Sequence, residues 1–344
     1  MQERLEHKLK NRHIQMIAIG GAIGTGFFLG SSSAIQMTGP SIALAYLLGG
    51  LIIYAVMRAL GEMTVDYPTS GSFVEYAHRY LGTGAGFVAG WNAWLLFTAA
   101  CMLEVTAVGT LLDYWIHIPH WITCAVLLTV FGGLNLIGVK YFGETEFWLA
   151  GIKVAVIIFM IVTGSYLILS DHNVHQIAIQ NISNYSHADT FFSHGMLGFL
   201  NSLVIVCLSF CGSEFVSVAA GEAENPEKSI PKAINGVIVR IILFYVLTMA
   251  VIVLMYPTKN INPQTNPFTD VFSKLGFKNA ADIINIVAIT ASLSALNSCI
   301  YVASRFIYRL SLNDQAPKRF ARVNKQHLPK NAVIFTIAMA FFVV

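Results

Sequence analysis

Apolar positions along this chain come in long unbroken runs, with polar and charged residues gathered between them. About 20 apolar residues are needed to cross the hydrocarbon core as a helix. On that ruler the runs predict spans near 14–37, 41–60, 83–111, 120–139, 146–169, 196–220, 234–256 and 280–307. A last run, Asn331–Val344, begins a ninth span, at which the sequence stops. Neither strand-like alternation nor a one-sided helical stripe dominates, so the fold class expected is an all-α polytopic membrane protein.

The first run carries an anomaly. Ile19-Gly20-Gly21-Ala22-Ile23-Gly24-Thr25-Gly26-Phe27-Phe28-Leu29-Gly30 holds five glycines within eleven positions. Each costs roughly 1 kcal/mol against alanine in a helix interior, so the density predicts a helix broken partway through the membrane. Freed backbone groups at that depth are tolerated only where they line a cavity or meet a ligand. A second reading is that Gly20, Gly21 and Gly24 let neighbouring helices approach closely.

Composition agrees with the pattern. Hydrophobic residues make up 56% of the chain and charged residues 11%, where a soluble domain has about a quarter charged. The mean hydropathy is +0.64. Placing the N-terminus in the cytoplasm puts 17 of the 21 Lys and Arg residues on that side. Lys259, Lys274 and Lys278 then lie outside, and Lys153 lies within the membrane. This is the positive-inside distribution. It predicts a cytoplasmic segment 1–13 followed by a membrane domain over 14–344 in the cell's inner (plasma) membrane. The five cysteines sit in apolar runs and read as buried free thiols, and all ten histidines fall at span ends or in loops.

With that orientation the first span runs outward and the sixth inward. The sixth has its own break signal, Ser209-Phe210-Cys211-Gly212-Ser213-Glu214. Two interrupted helices of opposite direction, five spans apart, are what an inverted repeat predicts.

Four motifs carry a resemblance: Ile23-Gly24-Thr25-Gly26-Phe27, Arg58-Ala59-Leu60-Gly61-Glu62-Met63, Ala219-Ala220-Gly221-Glu222-Ala223 and Asn225-Pro226-Glu227-Lys228-Ser229-Ile230-Pro231. They resemble the amino acid–polyamine–organocation superfamily of permeases. Glu144-Thr145-Glu146-Phe147-Trp148 with Ile152-Lys153-Val154 is similar to its bacterial amino acid transporter family. The resemblance implies the leucine-transporter-type fold, two five-helix inverted repeats with discontinuous first and sixth helices. Helix ten and a terminal pair usual in such permeases are missing from this sequence, so the second repeat is expected to be incomplete.

An α-amino acid offers a carboxylate and an ammonium to such a break. The N-terminal end of the outer half of span 1 suits the carboxylate, through the amides of Thr25 and Gly26 and the Thr25 hydroxyl. The resemblance assigns unwound carbonyls of Ala22, Leu208 and Cys211 to the ammonium, with Ile23 and Gly24 in the lining and Phe210 as an aromatic gate. Ionisable groups in mid-membrane are functional candidates by default, which singles out Glu104, Lys153 and Glu214. Glu104 either lines the substrate cavity or is a carboxyl bonded across helices. The resemblance puts Lys153 where sodium-coupled relatives hold an ion, making it a proton-coupling group; the plainer reading is a lysine snorkelling to the interface. Glu214 accepts a proton, satisfies amides freed by the break, or does both. Ser292, Ser294, Asn297 and Ser298 form a polar stripe that faces Lys153 or serves as helix–helix glue.

Gly24-Thr25-Gly26 and Gly82-Thr83-Gly84-Ala85-Gly86 do not complete a dinucleotide fingerprint, and no hydrolase or nucleotide-loop motif is present. The expectation is therefore a transporter and not an enzyme, without cofactor, metal or nucleic acid. It would import amino acids with protons by alternating access. A proton-independent exchanger and an amino acid-binding sensor that moves nothing are the competing readings.

Overall fold

The computed structural model describes residues 5–28, 30–261, 267–274 and 280–343. Its helices are α1 (Asn11–Gly20), α2 (Thr25–Phe28), α3 (Gly30–Thr38), α4 (Ile42–Asp66), α5 (Ser72–Leu81) and α6 (Thr83–Leu112). There follow α7 (His120–Ile137), α8 (Val139–Ser170), α9 (His172–Tyr185), α10 (Ala188–Phe191), α11 (Gly195–Ser209) and α12 (Phe215–Ala219). The rest is α13 (Pro226–Asn235), α14 (Val237–Arg240), a π-helical turn Ile241–Val246, α15 (Leu247–Met255), α16 (Pro267–Lys274), α17 (Ala280–Leu312) and α18 (Lys330–Ala340). Among the described residues the only β-type pairing is a single parallel bridge between Leu9 and Ala223.

Six stretches among the described residues are long and apolar enough to cross a membrane, from Gly26–Asp66 to Asp282–Leu312. Ile241–Met255 and Lys330–Ala340 are shorter apolar helices. The outward faces are those of a protein in lipid: Leu48, Leu51, Ile52 and Val56 of α4 and Phe159, Val162 and Tyr166 of α8 are exposed. The interior, by contrast, holds Asn135, Glu146, Lys153, Ser294, Asn297 and Arg305. The interior is otherwise apolar, and the apolar outer surface is the departure from a soluble protein: lipid solvates leucine, and only other protein groups can solvate a buried charge.

The two expected interruptions are present, between α1 and α2 and between α11 and α12. The long helices α6 and α17 pack along each other as a scaffold, and α8 lies against α1, α15 and α17. Helix boundaries depart from the apolar ruler where polar residues find protein partners. The fifth span begins at Val139 rather than 146, and the eighth continues to Leu312 rather than 307. The first helix starts at Asn11, inside the segment expected to precede the membrane domain. His13 consequently lies in a helix interior, fully buried, with Nε2 3.1 Å from Glu144 Oε1. The connecting helices α5, α9 and α13 have no counterpart in the apolar pattern. Cys207 and Cys211 are only half-buried, while Cys101, Cys124 and Cys299 are buried as expected.

Candidate functional site

The site is built on the carbonyls that the first break releases. After α1 the chain makes a turn over Gly21–Gly24, and three carbonyls lose regular helical partners. Two buried side chains receive them. Lys153 Nζ donates to Gly20 O at 2.6 Å and to Ile23 O at 2.8 Å. Tyr245 Oη donates to Ala22 O at 2.6 Å. Tyr245 stands in the π-helical turn Ile241–Val246, and a π turn of this kind re-aims side chains and is frequent at functional sites.

The second break meets the first directly. Gly212 has φ +101°, a conformation that glycine adopts without the Cβ penalty. A methyl group on Gly212 would lie 2.2 Å from Gly21 O, and one on Gly21 would lie 2.7 Å from Gly212 O. The glycines expected either for binding or for packing thus let one break sit on the other. Glu214 Oε2 accepts the Gly212 amide at 3.0 Å. Ser209 Oγ donates to Gly26 O at 3.0 Å, tying α11 to the outer half of the first span.

Around this junction the expected residues separate into groups. Ala22, Ile23 and Gly24 form the turn itself, and the carbonyls of Ala22 and Ile23 are engaged by Tyr245 and Lys153. Thr25 and Gly26 open the outer half, where the first amides of a helix lack intrahelical acceptors. Glu104 of α6 faces the same turn: its Oε1 is 3.2 Å from where a Gly24 methyl would be. Phe210 is buried, its ring 4.6 Å from Tyr245 and 6.0 Å from Tyr46. Phe27 extends this aromatic cluster at 4.9 Å from Tyr245. Cys211 lies 3.9 Å from Glu214 Oε1.

Two residues stand elsewhere. The Leu208 side chain is 61% exposed, on an apolar groove shared with Ile53 and Val204 that reaches Phe210, Cys211, Ser213 and Glu214 of the second break, and its carbonyl accepts the Cys211 amide at 3.0 Å. Ser292 donates its hydroxyl to Ala288 O of its own helix at 3.1 Å. Between the breaks, beside Ala22, Phe210, Ser213 and Tyr245, is a cavity of about 20 Å³, room for one water at most.

Behind the junction lies a polar layer that the apolar pattern did not reveal. Glu146 of α8 is fully buried and accepts from Ser294 Oγ at 2.5 Å. Its Oε1 stands 2.4 Å from where a Gly20 methyl would be. Asn135 Nδ2 of α7 donates to Asn297 Oδ1 at 3.1 Å. Towards the N-terminal face, Glu222 and Arg305 form a buried pair at 2.7 Å, and Leu9 bonds the backbone of Glu222 and Glu224. Neither Tyr245 nor Glu146 was singled out from the sequence. The one available signal was that Glu146 precedes Lys153 by seven residues, which puts both on one helical face.

Residues 13–344 match the family model described as amino acid permease. The chain belongs to that family. It is a multi-pass membrane protein of a transporter family, not an enzyme. The aromatic amino acid transport protein AroP of Escherichia coli K12 is 44% identical over 333 residues, covering 96% of this chain and 72% of the relative. The uncharacterized amino acid permease YtnA of Bacillus subtilis is 42% identical over 334 residues, covering 97% and 72%. The solved structure of MhsT in complex with L-phenylalanine superposes with a TM-score of 0.66 at 15% identity, covering 98% of this permease and 79% of MhsT. A sodium-coupled sialic acid symporter gives the same TM-score at 10% identity, covering 98% and 74%. At such identities the likeness is one of fold, the leucine-transporter-type inverted repeat with its two broken helices.

Proposed function

We propose that this permease carries an amino acid inward across the cytoplasmic membrane together with a proton, by alternating access around the two breaks. The observation that carries the reading is Lys153, buried to zero exposure and bonded to both Gly20 O and Ile23 O. A charged donor makes hydrogen bonds about twice as strong as a neutral one. Protonated Lys153 therefore clamps α8 to the broken first span, and the neutral amine loosens that clamp. Movement of α1 is thereby tied to one proton.

The substrate carboxylate is assigned to the amides of Thr25 and Gly26 at the start of the outer half, and the ammonium to the side of Glu104 and the break carbonyls. Phe210, with Tyr46 and Tyr245, forms the aromatic gate over it. The aromatic transport relative supports an aromatic amino acid as the first substrate to test. The Lys and Arg distribution supports a cytoplasmic N-terminus.

The test is uptake of labelled L-phenylalanine into proteoliposomes with and without an inward proton gradient. Gradient-driven accumulation is expected in the wild type and lost in Lys153→Ala. A second reading has a specific support: with two bonds, Lys153 also suits a permanently charged strut, and transport is then proton-independent exchange. Uptake indifferent to the gradient, with counterflow intact, would establish that reading instead.

A further inference from the structure

Glu146 is a buried carboxyl in a polar layer whose hydrogen-bonding capacity is only partly used. Ser294 satisfies its Oε1, and Ser298 and Asn297 of α17 lie against the same carboxyl. Glu146 Oε2, Ser298 Oγ, Asn297 Nδ2 and Asn135 Oδ1 are all buried without a close, well-aligned partner, although Ser298 and Asn297 lie near enough to Glu146 to bond it. These residues come from three helices, α7, α8 and α17, and each is at most 2% exposed. Buried polar atoms are normally paired, so a carboxyl oxygen and three loosely bonded polar atoms in one layer leave capacity for a proton or a proton-carrying water.

The set has a further property. An ionised Glu146 can accept from Ser298 Oγ–H and Asn297 Nδ2–H. A protonated Glu146 can instead donate to Ser298 Oγ, or through one water to Asn135 Oδ1. Both forms are served by rotating a hydroxyl, which a shell built for a fixed charge would not allow.

The position along α8 gives the site a direction. Glu146 is two helical turns from Lys153, on the side that the basic residues mark as cytoplasmic. Its Oε1 packs on Gly20, whose carbonyl accepts from Lys153, so the two groups stand on either side of one residue. Lys153 is the charged group acting on Glu146, and Glu104 of α6 and Cys299 of α17 are the other titratable groups near Lys153. From α1 the next titratable group towards the cytoplasm is His13, held with Arg12 against Glu144; α17 offers Ser294, Asn297 and Ser298 and no charge.

We propose that Glu146 is the group that receives the proton from Lys153 on its way to the cytoplasm; this rests on the proton-coupled reading above. An N–H bond of the Lys153 ammonium breaks, an O–H bond forms on Glu146, and buried serine hydroxyls or water pass the proton between them. An ion pair becomes a neutral pair, so the net charge in the membrane interior is unchanged at this step. The proton then leaves Glu146 for the cytoplasmic water, and Lys153 is recharged from the outside.

The experiment compares wild type, Lys153→Ala, Glu146→Gln and Ser298→Ala in proteoliposomes with labelled L-phenylalanine. Glu146→Gln keeps the shape and the Ser294 contact but holds no transferable proton. Counterflow is expected to persist within about threefold, while gradient-driven accumulation falls about tenfold or more. Ser298→Ala is expected to keep transport but shift the pH midpoint of uptake. If wild type is gradient-driven, Lys153→Ala is not, and Glu146→Gln concentrates substrate with the wild-type pH profile, this inference alone is overturned. If wild type ignores the gradient, the coupled reading itself fails. Should Glu146→Gln not bind substrate, Ser298→Ala decides, and an unshifted midpoint overturns the role.

Discussion

The Glu222–Arg305 pair is the interaction whose removal should be most costly. Arg305 reaches Glu222 with both Nε–Oε1 at 2.7 Å and Nη2–Oε2 at 3.2 Å, and Tyr301 adds a third bond to Oε1 at 3.0 Å. The guanidinium carbon lies 4.0 Å over the Tyr301 ring, which stacks at 4.0 Å on Phe142 of α8. The Glu222 backbone accepts the Leu9 amide at 3.0 Å. One knot thus joins the N-terminal segment, the end of the sixth span, α8 and α17. Removing one partner of a buried pair strands the other charge and costs about 3–5 kcal/mol, whereas replacing both by apolar groups is often near neutral. Arg305→Leu and Glu222→Leu should each lower thermal stability by that amount, and the double variant should recover most of it. The coupling in the cycle is then at least about 3 kcal/mol, at or above the top of the roughly 0.5–3 kcal/mol range for contacting residues. The assay is the thermal midpoint of detergent-purified protein for all four members of the cycle. A double variant whose loss equals the sum of the single losses would refute the argument, since it would mean that neither charge depends on the other.

Two further outcomes follow from single residues. Gly212→Ala adds backbone strain of about 1–3 kcal/mol and a methyl 2.2 Å from Gly21 O, so uptake should be lost, whereas Gly84→Ala, with open space around it, should be neutral or slightly stabilising. Uptake at wild-type rate in Gly212→Ala would show that the two breaks need not touch. On the loop helix α5, burial acts to raise the Glu75 carboxyl, but bonds from Arg309 and from Asn313 at 3.0 Å outweigh it and hold it below the usual carboxylate range. A depressed folded value gives stability that is present above the unfolded pKa of about 4.3 and lost as pH falls through the folded value, so the thermal midpoint should drop on acidification and Glu75→Gln should flatten that drop.

What the sequence made legible and what it hid differ by the kind of partner involved. The breaks were readable because glycine density in an apolar run signals a local cost with no local compensation, and Gly21, Gly24 and Gly212 all carry it. The spans were readable because lipid selects on apolar composition alone. The same ruler missed α5, α9 and α13, which are amphipathic or polar, and it started the fifth span at residue 146 because charged residues there looked like an interface. Glu146 is instead inside, since Ser294, 148 positions away, and the glycine face of α1 cover it. Lys153 was noticed as an intramembrane charge, but its partners are backbone carbonyls of Gly20 and Ile23, and a carbonyl has no sequence signature. Tyr245 was hidden for a second reason: an aromatic residue in an apolar helix looks like lipid-facing or core packing until a π turn aims its hydroxyl at Ala22 O. The general consequence is that a broken membrane helix announces its break but not its caps. The caps come from helices distant in sequence, so the groups able to release or hold the break are found only by asking where each freed carbonyl goes. Here the answer is two side chains, the amine of Lys153 and the phenol of Tyr245. In the proposed coupling, loss of the Lys153 proton would loosen the Gly20 and Ile23 side of the turn while Tyr245 keeps hold of Ala22.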